Sequence, residues 1–181
     1  MRRMTSLLAL SGAVVLAVLG GRVLVAQDAG QDKYGLRVPD GLAFAEFRGY
    51  ETWQVVSVSQ GNGLLKVIVA NPVMIEAYRA GIPGNGQPFP DGARSAKFMW
   101  TAQKLEGVPF SATVAGPLKH VDFMVKDSAR FAAIGGWGYA QFNYDPASDR
   151  FAPDGTGAAC GTACHTIVKA RDYVFTAYGR R

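Results

Sequence analysis

The sequence predicts an α+β domain, mainly an antiparallel β-sheet with a few short helices, and three observations carry that prediction. Short runs of β-type residues alternate with turn chemistry through most of the chain, as at Gly61-Asn62-Gly63 between two such runs. Only short helical patterns interrupt them, one opening with Asn71-Pro72 and closing at Gly81. Hydrophobic residues make up 49% of the 181 residues and charged ones 18%, so the chain can bury one ordinary core rather than stay disordered.

The elements follow in order. Arg2 and Arg3 precede an apolar stretch from Leu7 to Leu19, closed by Gly20, Gly21 and Arg22. That is the pattern of a secretory signal peptide over residues 1–26, and it places the remaining protein in the periplasm. The apolar run is shorter than the roughly 20 residues a spanning helix needs, so no stable membrane insertion is expected once the leader is removed. Residues 27–41 are polar up to Pro39 and read as a flexible segment; residues 42–181 form the domain. Strands are expected over Thr52–Ser59, Leu64–Ala70, Ala93–Glu106, Phe110–Ala115, Lys119–Val125 and Trp137–Tyr144. Asn71 caps a helix that Pro72 begins, Asp127–Ala132 forms a helical turn, Asp145–Gly161 is a turn-rich loop, and His165–Tyr178 is a final helix.

Charge excludes one class of function. Without Arg2, Arg3 and Arg22, Lys+Arg falls from 19 to 16 against 14 acids, so the formal net charge drops from +5 to +2. With no basic run and no zinc-finger spacing, no nucleic-acid partner is expected.

The chemistry concentrates in Cys160-Gly161-Thr162-Ala163-Cys164-His165, which holds both cysteines and one of the two histidines. Covalent haem attachment uses C-x-x-C-H: two thiols add to the porphyrin vinyls and the adjacent histidine binds iron. Here three residues separate the thiols, but His165 still follows Cys164 directly, and Gly161 allows the intervening segment to bulge. One covalent haem c per chain is the first reading, with Cys160 and Cys164 holding the porphyrin and His165 the iron. A Cys160–Cys164 disulfide in a haem-free exported domain is the second. Zinc is the third, and two thiols with one histidine leave its fourth ligand unspecified. No methionine follows the motif, and only Met74, Met99 and Met124 precede it after the leader. An open sixth iron position, suited to small molecules, is therefore expected.

Several pieces in order resemble the cytochrome P460 family, which includes the β-type cytochromes c′. They are Phe47-Arg48-Gly49-Tyr50-Glu51-Thr52-Trp53, the helix from Asn71 to Ala80, and Phe89-Pro90-Asp91-Gly92 before a strand carrying Lys97. Val125-Lys126-Asp127-Ser128, Arg130-Phe131-Ala132, Gly136-Trp137 and the haem motif follow, so the resemblance runs roughly from Leu42 to Tyr178. It implies a five-coordinate c-type haem in a small antiparallel domain, usually a homodimer. In hydroxylamine-oxidising members a lysine is linked to the porphyrin edge, and Lys97 holds the matching place. Those members also use a distal carboxylate as proton acceptor; Asp122 stands there, one methylene shorter than the family's glutamate. The implied activity is oxidation of hydroxylamine to nitrous oxide or nitric oxide, with electrons passing to an acceptor such as a small cytochrome. The β-type cytochromes c′ lack the cross-link and bind nitric oxide on an apolar distal face.

Strand alternation supports part of this. Ser95, Lys97, Met99 and Thr101 share one face of their strand, and His120, Asp122 and Met124 share one face of theirs. Lys97, His120 and Asp122 therefore line one polar pocket if those faces meet the haem. On ordinary grounds Lys97 is a solvated strand lysine, Asp122 pairs with Lys119 or Lys126, and His120 is structural rather than a sixth ligand. Trp100, Trp137, Tyr139 and Phe142 are expected in the core, with one or two of them touching the porphyrin.

Overall fold

The computed structural model describes residues 30–39 and 41–179, so the leader expected over residues 1–26 lies outside the described residues. Six strands form one antiparallel meander in chain order: β1 (Gln54–Gly61), β2 (Leu64–Ala70), β3 (Arg94–Leu105), β4 (Ala112–Lys126), β5 (Trp137–Asp145) and β6 (Arg150–Pro153). Two α-helices, α1 (Pro72–Arg79) and α2 (Gly157–Thr166), pack on the same face of that sheet. Among the described residues, no helix is long and apolar enough to cross a membrane.

Local chemistry explains the regions that match expectation. Asn62 and Gly63 both have positive φ, 53° and 72°, which gives the two-residue turn whose twist suits a hairpin, and β1 and β2 pair from that turn. Asn71 accepts from the Met74 amide at 3.1 Å and from the Arg94 amide at 3.0 Å, so one side chain starts α1 and ties it to β3.

Other regions differ. The two strands expected over 110–115 and 119–125 are one strand, β4. Trp100 faces Leu118 and Ala102 faces Ala115, so Gly116 and Pro117 together oppose Thr101. A proline is tolerated at such a bulge because it owes the ladder no N–H there. The loop expected over 145–161 contains β6 and the first turns of α2, and the helix expected from His165 to Tyr178 ends at Thr166. Beyond it come a 3-10 turn at Lys169–Arg171 and two consecutive left-handed residues, Asp172 and Tyr173, with φ of 47° and 63°. Two described residues of the segment from 27 to 41 make contacts with the domain. Gln31 exchanges two hydrogen bonds with the Phe151 backbone, and Val38 is fully buried.

The two faces of the sheet are covered differently. The N-terminal stretch, through Leu42, Phe44, Phe47 and Tyr50, packs against Ala96, Val121, Phe123 and Phe142. The opposite face packs Ile68, Met124, Trp137 and Tyr139 against α1, Phe89 and Val174. A cavity remains on that second face, between the sheet and α2.

Candidate haem site

α2 lies close on β5 because two of its residues have no side chain. A Cβ at Gly157 would stand 2.7 Å from Gln141 Cβ, and one at Gly161 would stand 2.7 Å from Tyr139 Cβ. Glycines at i and i+4 set the helix face-down, and the adjacent stripe, Cys160 and Cys164, lines a cavity of about 420 Å³. The sheet wall carries Ile68, Ser95, Lys97, Asp122, Met124 and Tyr139; Met74 comes from α1, and Val174, Phe175 and Thr176 close the C-terminal side.

The helix also accounts for the unusual spacing. No bulge is needed, since residues four apart lie on one helix face as do residues three apart. Both thiols are free. Helical i,i+4 spacing puts Cβ atoms about 5–6 Å apart, against roughly 3.5–4.5 Å across a disulfide, so this geometry opposes the disulfide reading. Among the described residues, no group of three His, Cys, Asp or Glu side chains is placed to hold a metal ion.

His165 is held by its other nitrogen. Nδ1 stands 2.6 Å from the Tyr173 carbonyl oxygen. A carbonyl only accepts, so Nδ1 carries the proton and donates, and Nε2 keeps its lone pair. The ring sits between Tyr139, 4.9 Å away, and Phe175, 5.1 Å away. Burial holds the imidazole below its ordinary pKa, favouring the neutral form that metal ligation requires.

Across the cavity, Lys97 and Asp122 face each other in the β3–β4 register, and Nζ lies 2.7 Å from Oδ2. This corrects the expected partners of Asp122: neither Lys119 nor Lys126 pairs with it, and Lys126 is instead buried against Asp172 at 2.7 Å. Asp122 Oδ1 is buried and makes no hydrogen bond; His120 Nε2 stands 3.5 Å from it. His120 is half-buried beside the pair and does not line the cavity, so of the three residues expected in one polar pocket only Lys97 and Asp122 line it. Trp137 and Phe142 are fully buried, but Trp100 is only half-buried, stacked on Phe98 at 5.1 Å.

Tyr139 is in the core as expected and also lines the cavity, with its hydroxyl buried and unpartnered, and burial pushes its phenol well up, so it stays a donor. Sequence reasoning missed two parts of this site. The Tyr173 carbonyl and the Phe175 ring had no signal at all, because backbone groups and a left-handed pair of non-glycine residues leave no pattern in a sequence.

These residues fit a haem. Two free thiols on one helix face, an imidazole with Nε2 available, apolar walls and an orphan hydroxyl share one cavity. No curated protein sequence matches the chain. The sequence model of the family described as Cytochrome P460 matches residues 47–176, most of the chain, and spans every strand of the sheet and the motif on α2. The chain belongs to the cytochrome P460 family, and it is a haem protein of that family.

Proposed function

We propose that this protein is a periplasmic c-type haem enzyme, with one haem covalently held per chain, that oxidises hydroxylamine to nitrous oxide or nitric oxide. The observation that carries this reading is the Lys97–Asp122 pair, 2.7 Å apart, lining the same cavity as Cys160, Cys164 and His165. When bound, the haem supplies an open iron position for a small nitrogenous molecule and a path for its electrons. Cys160 and Cys164 would hold the porphyrin, and His165 Nε2 would be the residue offered to the iron. Two hydroxylamine molecules that yield one nitrous oxide and one water release four protons and four electrons. The electrons pass to an acceptor such as a small cytochrome.

The protons need an acceptor inside the cavity, and Asp122 Oδ1 is a buried carboxylate oxygen with no hydrogen-bond donor of its own. Its other oxygen holds Lys97 Nζ, which keeps the amine at the cavity wall, where a link to the porphyrin edge needs it. A homodimer is the assembly the family resemblance implies.

A second reading is nitric oxide binding without turnover. It is favoured by the apolar part of the cavity wall, which includes Ile68, Met74, Met124 and Val174. The ferrous absorption spectrum of protein matured with a c-type attachment system separates the two. We expect a Soret band strongly red-shifted from ordinary haem c, and Lys97→Ala abolishing the shift. An ordinary five-coordinate spectrum removes the cross-link and leaves nitric oxide binding. Protein that takes up no haem returns the disulfide reading.

A further inference from the structure

Val125-Lys126-Asp127-Ser128 and Gly136-Trp137 stand out in the sequence, yet neither enters the chemistry above. Lys126 and Trp137 from these two stretches meet beside Asp172, the residue before Tyr173. Lys126 is the last residue of β4, and its side chain is 5% exposed. Its Nζ donates to Asp172 Oδ1 at 2.7 Å and to the Gly135 carbonyl at 3.1 Å, and lies 5.2 Å from the Trp137 ring centre. Asp172 Oδ2 accepts from the Phe89 amide at 2.7 Å, so both carboxylate oxygens are engaged.

That carboxylate belongs to a conformation non-glycine residues seldom adopt. Asp172 and Tyr173 both have positive φ, a pairing that surrounding contacts must enforce. Tyr173 is held from its other side as well. Its amide donates to the Val168 carbonyl at 3.1 Å, and its ring fills the space a Cβ on Gly135 would need, 2.3 Å away. The result of this turn is that the Tyr173 carbonyl faces His165 Nδ1.

We propose that Lys126 and Asp172 are positioning residues for His165: their buried ion pair locks the Asp172–Tyr173 turn and so presents the carbonyl that accepts the Nδ1 proton. A hydrogen bond at Nδ1 fixes the tautomer and orients the ring. It also raises the basicity of Nε2, which strengthens electron donation to a bound metal. The tie between β4 and the C-terminal segment would thus set the electron richness of a bound iron from two residues that do not line the cavity. This rests on the reading that His165 is the axial ligand.

The test uses the full-length holoprotein, with haem content checked by pyridine haemochrome, as wild type and as Lys126→Met, Asp172→Asn and Lys126→Arg. Asparagine tolerates the left-handed region and keeps an acceptor for the Phe89 amide, so Asp172→Asn decides the matter even if Lys126→Met fails to fold. The readouts are the ferrous iron–histidine stretching frequency by resonance Raman and the reduction potential. Expected are a lower frequency and a higher potential in Lys126→Met and Asp172→Asn, with Lys126→Arg returning towards wild type. Haem-loaded variants that melt earlier but keep the wild-type frequency and potential overturn the positioning role and leave the haem reading intact. Wild-type protein with no haem, or with no iron–histidine band, overturns the haem reading and this proposal with it.

Discussion

Asp122 and Phe123 are neighbours in β4 and live in different environments. Phe123 points to the face covered by the N-terminal stretch, stacked on Phe47 at 4.2 Å with Phe44, Tyr50 and Phe142 around it. Asp122 points to the face covered by the helices, where a cavity keeps polar groups apart from a closed core. One sheet carries both because strand side chains alternate with a period of two. The aromatic face is filled so that the other can be left holed: cavities cost stability, and close packing across the sheet offsets that cost.

The largest expected effect breaks the filled face. Phe123→Ala costs about 3–5 kcal/mol in denaturant unfolding, since the aromatic cluster around it cannot collapse into the space. Asp122→Asn, one residue away, leaves unfolding within about 1 kcal/mol of wild type, because a partly exposed ion pair contributes little. If the proposed activity holds, it lowers hydroxylamine turnover by about a hundredfold, the scale of a lost proton acceptor. Equal destabilisation by the two substitutions would erase the distinction between the faces.

A smaller effect sharpens the other side of the comparison. Gly161→Val drives a side chain into Tyr139 and lifts α2 from β5, costing about 1–3 kcal/mol and reducing haem incorporation, read as haemochrome per mole of protein. Normal loading at wild-type stability would mean that the glycine stripe does not set the cavity.

The smallest effect is a pH dependence. Burial holds the His120 imidazole below its ordinary pKa of about 6.5, so below that value the unfolded chain takes up a proton the folded one refuses. Holoprotein stability therefore declines as pH falls through this window, and His120→Gln flattens the decline in denaturant titrations at stepped pH. Asp91 and Asp154 act in a separate window. Hydrogen bonds from Ser128 and Thr156 hold their carboxyls below the ordinary value, so their contribution disappears only in stronger acid.

How legible each part was depends on the range of the interaction that forms it. The Asn62-Gly63 turn and the Asn71 cap need only neighbouring residues, and both appear where sequence chemistry predicts them. Alternation put Lys97, His120 and Asp122 in one pocket; Lys97 and Asp122 do line the cavity and His120 does not. The Lys97–Asp122 pairing was out of reach, because a register is a relation between two strands and a slip of one residue would turn either side chain to the opposite face. The first half of α2, residues 157–161, was misread as loop for a related reason. The Gly157-Ala-Ala-Cys-Gly-Thr-Ala-Cys-His-Thr166 sequence has no apolar stripe and two glycines, so its fit against β5, not propensity, favours the helix.

By itself the sequence determined the α+β sheet, the hairpin, the α1 cap, the family and the residues able to hold a haem, because each is written in local pattern or in residue identity. Only the tertiary structure decided that the two thiols share a helix face, that Asp122 holds Lys97, and that a carbonyl from a left-handed turn holds His165. Each of those joins residues or backbone atoms through strand register or helix packing, and such contacts exist only once the chain has folded.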